Sequence, residues 1–122
     1  MKYSTFEEIP VWQDARHFVA KIYKITKSKF GKDFELINQL RSAALSITLN
    51  IAEGFERKTN KEFARFVNVS KASAGECRAI FYVALDLNYL SQLEFNELKE
   101  NILDIARQLS KFEQYLLTTY KK

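Results

Sequence analysis

Residues 46–57 read SITLNIAEGFER. Ile47, Leu49, Ile51 and Ala52 are interleaved there with Ser46, Thr48, Asn50, Glu53 and Gly54. Ser, Thr, Asn and Gly each cost roughly 0.5–1 kcal/mol against Ala in a helix interior. Yet the surrounding spacing is helical. Ile37, Leu40, Ala44, Ile47 and Ile51 recur at steps of three and four, the seam of a left-handed bundle. Glu35, Gln39, Ser42, Ser46, Asn50, Glu53 and Arg57 form a narrow polar stripe beside it. A solvent face would carry Lys and Glu throughout, whereas the middle of this stripe has only small groups. The stretch therefore reads as a helix that packs closely against a neighbour along an internal polar seam.

Working outward, three more helices follow from their periods. Helix one is expected over about 11–28, with Pro10 suited to its first turn. Trp12, Ala15, Phe18, Val19, Ile22, Tyr23 and Ile25 share one half of the wheel. Gln13, Arg16, His17, Lys21, Lys24 and Lys27 share the other. Phe30-Gly31-Lys32 breaks this helix, and Asp33 can cap the second, over 34–57. Thr59-Asn60-Lys61-Glu62 is a capping box that starts a third helix over 60–90. Ser91-Gln92-Leu93-Glu94 repeats the box ahead of a fourth over 94–120, with Leu98, Ile102, Ile105, Leu109, Phe112 and Leu116 on one face. Short links force antiparallel neighbours, so the fold class is an all-α, up-down-up-down four-helix bundle in one domain of 122 residues.

Helices one and four have one apolar face each, while helices two and three have nearly two. The surplus suggests a second packing surface, another copy of the chain. The alternative is that helices two and three simply sit more centrally.

The composition, 47% hydrophobic and 28% charged, is that of a soluble globular protein. The apolar-rich run from Ala79 to Leu90 is too short to span a bilayer and contains Asp86, so no membrane partner is expected. MKYSTFEEIP lacks an apolar signal core, and the single Cys77 suits a reducing compartment, so the expected location is cytoplasmic. The net charge of +4 comes from the first half, and six basic residues with no acid lie between Arg16 and Lys32. Arg16, Lys21, Lys24, Lys27, Lys29 and Lys32 are the candidate nucleic-acid contacts, acting on phosphates without base information. Lys71, Arg78 and Tyr82 make a weaker second patch. A solvated lysine-rich helix surface is the plainer reading of both.

Catalytic signals are thin. His17 falls on a polar face and Cys77 on an apolar one, on different helices, so no nucleophile pair is expected. Asp14-x-x-His17 has a di-metal spacing but occurs once, on a basic face. No metal, cofactor or enzymatic activity is expected.

Antiparallel pairing of helices two and three makes facing residue numbers sum to about 117. That register places Arg41 near Glu76, Ser46 near Lys71 and Ser73, Asn50 near Val67 and Ser70, and Glu53 near Phe63. Arg41, Ser46, Asn50, Glu53, Ser73 and Glu76 are thus the expected residues of the polar seam and of assembly.

The same residues carry a resemblance. QLRSAALSITLNIAEGFER (residues 39–57), with NKEFARFVNVSKASAGECR and ALDLNYLS after it, resembles the 23S rRNA-intervening sequence proteins, small bundles encoded within large-subunit ribosomal RNA genes. The likeness spans about residues 9–117. Gln39, Leu40, Arg41, Ala43, Ser46, Ile47, Asn50, Ile51, Ala52, Glu53 and Gly54 match its central element, and Ser73 and Glu76 a second. Cys77 and Gly75 depart from the family's usual aliphatic residues. The resemblance implies a homo-oligomeric ring, a homopentamer, with no established enzymatic activity and a suspected association with RNA or DNA. Two functions follow as expectations: a nucleic-acid-associated ring, or a protein-interaction scaffold without direct nucleic-acid binding.

Overall fold

The computed structural model describes residues 2–119. A single 3-10 turn, Phe6–Glu8, leads into α1 (Pro10–Lys29), α2 (Phe34–Phe55), α3 (Asn60–Asp86) and α4 (Gln92–Thr119). No strand occurs among the described residues.

Local chemistry sets most boundaries. Pro10 occupies the first turn of α1, where its missing N–H costs nothing. Gly31, at φ 57°, supplies the left-handed residue that turns the chain out of α1. Asp33 Oδ1 then accepts from the Leu36 N–H at 3.1 Å and caps α2. Thr59 Oγ1 caps α3 from the Glu62 N–H at 3.1 Å. Before α4 the box is reciprocal: Glu94 N–H donates to Ser91 Oγ at 3.1 Å, and Ser91 N–H donates to Glu94 Oε1 at 2.8 Å.

Three boundaries differ from expectation. Helix α2 ends at Phe55, where the Glu56 and Arg57 N–H groups already turn back to Glu53 and Gly54. Helix α3 ends at Asp86 rather than Leu90, because Asn88 adopts φ 63° and the Tyr89 N–H closes on Ala84 O at 2.9 Å. Helix α4 accordingly begins at Gln92, directly after its Ser91 cap.

Cross-helix contacts define an antiparallel bundle. Ser73 meets Ser46 while Gln39 meets Glu76, so α2 and α3 run in opposite senses. Phe63 meets Phe112 and Tyr82 meets Phe95 across α3 and α4. Lys29 meets Glu94 and Asp14 meets Gln108 across α1 and α4. The core runs the length of the bundle through Ile22, Leu40, Ile47, Ile51, Phe63, Phe81, Leu98, Ile102, Leu109 and Leu116, all but excluded from solvent. Tyr23, expected on the buried half of α1, is instead 42% exposed and carries Arg41 on its ring.

Candidate nucleic-acid face and polar seam

The seam forms, but with fewer members than expected. Ser73 Oγ donates to Ser46 Oγ at 2.9 Å, joining α3 to α2 at the expected register. Asn50 does not reach α3. Its Nδ2 donates to Ser46 O at 2.8 Å and Ser46 Oγ at 3.0 Å, so it braces the serine from one turn away. Ser70, buried completely, donates to Ile47 O at 2.9 Å; the serine lies on the apolar face of α3, which hid this role. No buried side-chain polar atom among the described residues lacks a partner, so this seam satisfies its own groups.

Gly54 completes it. A Cβ there would lie 2.6 Å from Phe63 Cδ1 and 2.7 Å from Phe66 Cβ, so the glycine is what lets α3 start against the end of α2. The small residues of SITLNIAEGFER thus serve close helix approach and register.

Two seam assignments are corrected. Glu53 is exposed and pairs with Arg57 one turn later at 3.2 Å, because it projects to solvent beyond Gly54. Arg41 does not pair with Glu76. It leans the other way, onto α1: Nε donates to Thr26 Oγ1 at 2.8 Å, Nη2 to Tyr23 O at 3.3 Å, and its guanidinium carbon lies 4.4 Å from the Tyr23 ring centroid. Glu76 is exposed and accepts from Gln39 Nε2 at 2.7 Å. Lys71 likewise turns from Ser46 to Glu113 on α4, at 3.4 Å.

All six expected cations on and after α1 are exposed, but they do not form one field. Lys21 is turned toward α4 and donates to Asn101 Oδ1 at 2.6 Å. Lys29, on the bundle side at the end of α1, pairs with Glu94 at 3.0 Å, and the Ser91 N–H, helped by this cation, holds the Glu94 carboxyl below its usual range. Arg16, Lys24, Lys27 and Lys32 have no carboxylate within ion-pair distance among the described residues. Three of these lie on the outward side of α1, where side chains three and four residues apart neighbour one another. Arg16 also approaches the Trp12 ring at 5.8 Å. This outer strip offers unpaired positive charge and no chemistry beyond it.

Reactive groups are kept apart. Cys77 is fully buried, and burial with the nearby Glu76 charge pushes its thiol up to about 12, so it stays protonated and inert. His17 is exposed in a shallow polar groove with Asp14, Lys21, Asn101 and Asp104. Among the described residues no group of three His, Cys, Asp or Glu side chains is placed to hold a metal ion. No helix among them is long and apolar enough to cross a membrane.

A second feature is apolar. Leu45 (38%) and Leu49 (56%) are exposed on α2, Val69 (47%) and Val83 (44%) on α3, and Leu87 (48%) just past its end. These are the helices with surplus apolar surface, and the bundle does not cover it.

Comparison with known proteins adds the following. A family model described as 23S rRNA-intervening sequence protein matches residues 7–111. No curated protein matches the chain. A crystal structure of a protein of unknown function from the S23 ribosomal protein family of Bacteroides thetaiotaomicron is similar in fold, with a TM-score of 0.78 at 19% identity. The alignment covers 85% of this chain and 98% of that one. Neither description names an enzymatic activity.

Proposed function

This chain belongs to the 23S rRNA-intervening sequence protein family, and from that premise we propose that it is a non-enzymatic, homo-oligomeric bundle that associates with nucleic acid through backbone phosphates. The observation that carries the reading is the outer strip of α1 and its following loop. Arg16, Lys24, Lys27 and Lys32 are exposed, with no carboxylate at ion-pair distance among the described residues. A run of 17 residues without an acid leaves local positive potential on this strip. Contacts of this kind follow phosphates and carry no base sequence. A homo-oligomer, with a ring of five copies as the family resemblance implies, would repeat the strip and turn a weak single contact into an avid surface.

The test is fluorescence anisotropy of labelled structured RNA and duplex DNA across a salt series. Binding should weaken steeply as salt rises. Lys24→Gln/Lys27→Gln/Lys32→Gln should lower the slope of log K against log salt by roughly two to three units, about 0.7–0.9 for each lost phosphate contact. An unchanged slope would remove this strip from the interface. No binding at low salt would leave the second reading, a protein-interaction scaffold, which the exposed apolar side chains of α2 and α3 favour.

A further inference from the structure

We propose that copies of this chain join head to tail, the α1-facing edge of α2 in one copy packing on the outer face of α3 in the next, with Arg41 of the first paired to Glu76 of the second. The proposal rests on the homo-oligomeric part of the reading above and specifies the surfaces that meet.

The starting point is an electrostatic anomaly. Arg41 is half-buried, and its guanidinium is held by Thr26 Oγ1, by Tyr23 O and by the face of the Tyr23 ring. None of these carries a negative charge. Among the described residues no carboxylate lies within ion-pair distance of it. Partial burial removes hydration from a cation, and that loss is ordinarily offset by an anion. A guanidinium has five N–H donors in a planar fork, and only two are used here. The remaining ones are preset for a carboxylate by contacts that hold the fork in place.

The matching carboxylate is on the page. Glu76 is exposed, and its hydrogen-bond partner among the described residues is the Gln39 amide, not a cation. Its neighbours match those of Arg41. Along α2, Leu45 and Leu49 follow Arg41 by four and eight residues and are 38% and 56% exposed. Along α3, Ala72 and Val69 precede Glu76 by four and seven, and both are exposed. In an antiparallel approach Arg41 meets Glu76, Leu45 meets the small Ala72, and Leu49 meets Val69. Over these spans each strip is an apolar ladder with one charge, and the two charges are opposite. Charge complementarity of this kind selects register.

The two strips lie on different helices of the same chain, and in the head-to-tail arrangement proposed here the contact is heterologous. Every copy has a free Arg41 strip and a free Glu76 strip until the chain of contacts closes, which is the requirement for a ring. A twofold dimer using either strip alone would cover Arg41 or Glu76 without bringing it the opposite charge, and is disfavoured.

Sedimentation velocity on the full chain tests this with Arg41→Glu, Glu76→Arg and the double variant carrying both changes. The native chain should be oligomeric. Each single variant should dissociate at least tenfold more readily, and the double variant should regain assembly. Arg41→Glu also removes the contacts to Thr26 and Tyr23, so circular dichroism must show it folded. Glu76→Arg and Leu49→Lys change exposed side chains and probe the interface without that complication. Unchanged assembly in both overturns the proposal, as does a double variant that stays dissociated although folded. A native chain that is monomeric at all concentrations overturns the homo-oligomeric reading together with this one; an oligomeric native chain indifferent to these changes overturns this one alone.

Discussion

Position 54 has no room for a methyl group. A Cβ would meet Phe63 and Phe66 at 2.6 and 2.7 Å, well inside contact distance, and the nearer side chain is itself buried. Gly54→Ala gains helix propensity of about 1 kcal/mol but must push α3 from α2. Overpacking of this sort costs typically 1–3 kcal/mol, so the net effect should be destabilising, read as a lower urea midpoint at unchanged m-value. A midpoint raised by the substitution would mean the helix ends are not pinned there. The residue types of the seam were legible in the sequence, because small polar residues inside an apolar helix demand a reason. The partner of Arg41 was not. From numbering alone Arg41 faces Glu76, but a long flexible side chain can turn to either neighbour, and here it reaches Thr26 and Tyr23 on α1.

At the scale of elements, the links do more than end helices. Asp33 caps α2 through Oδ1, and its Oδ2 accepts from the Tyr89 hydroxyl at 2.8 Å, tying the loop before α2 to the loop after α3. Phe30 packs on the same tyrosine with ring centroids 5.3 Å apart. Loss of the cap alone costs about 1 kcal/mol, so Asp33→Ala should destabilise by somewhat more than that and Asp33→Asn by less. The Tyr89 hydroxyl is held above its ordinary range, chiefly by its hydrogen bond to Asp33. A raised acid keeps its proton longer in the folded state. The contact therefore supports the fold below the ordinary tyrosine pKa and is lost as pH rises through the folded value. Denaturation of native and Tyr89→Phe proteins from pH 8 to 11 should show the native chain losing more of its midpoint; parallel curves would dismiss the tie. Three caps were readable as motifs, whereas the left-handed Asn88 that stops α3 early was not, since nothing in ALDLNYLS separates it from a helical continuation.

For the whole molecule, the question is what covers α2 and α3. Leu45, Leu49, Val69, Val83 and Leu87 leave apolar surface exposed there. Each such side chain gains on the order of 1 kcal/mol when its exposed half is covered. If copies of the chain cover them, folding is linked to association, and Tm rises with protein concentration. A hundredfold increase should raise Tm by several degrees for the native chain. Leu49→Lys should abolish the increase while leaving the dilute value nearly unchanged, because Leu49 contributes little to its own core at 56% exposure. Scanning calorimetry at three concentrations decides this, and a flat Tm for the native chain would argue against self-association.

Periodicity, caps and one residue break were enough to establish helices, their order and their antiparallel neighbours, because those depend on local spacing that every residue helps to encode. The surplus apolar faces were visible for the same reason. Which charges remain free was decided only by the tertiary structure. Lys21, Lys29 and Lys71 are drawn to Asn101, Glu94 and Glu113 on α4, a helix far away in sequence, while Lys24, Lys27 and Lys32 are left outward. Long charged side chains reach several ångströms from their backbone, so their partners are set by what packing brings within reach rather than by where they stand in the chain.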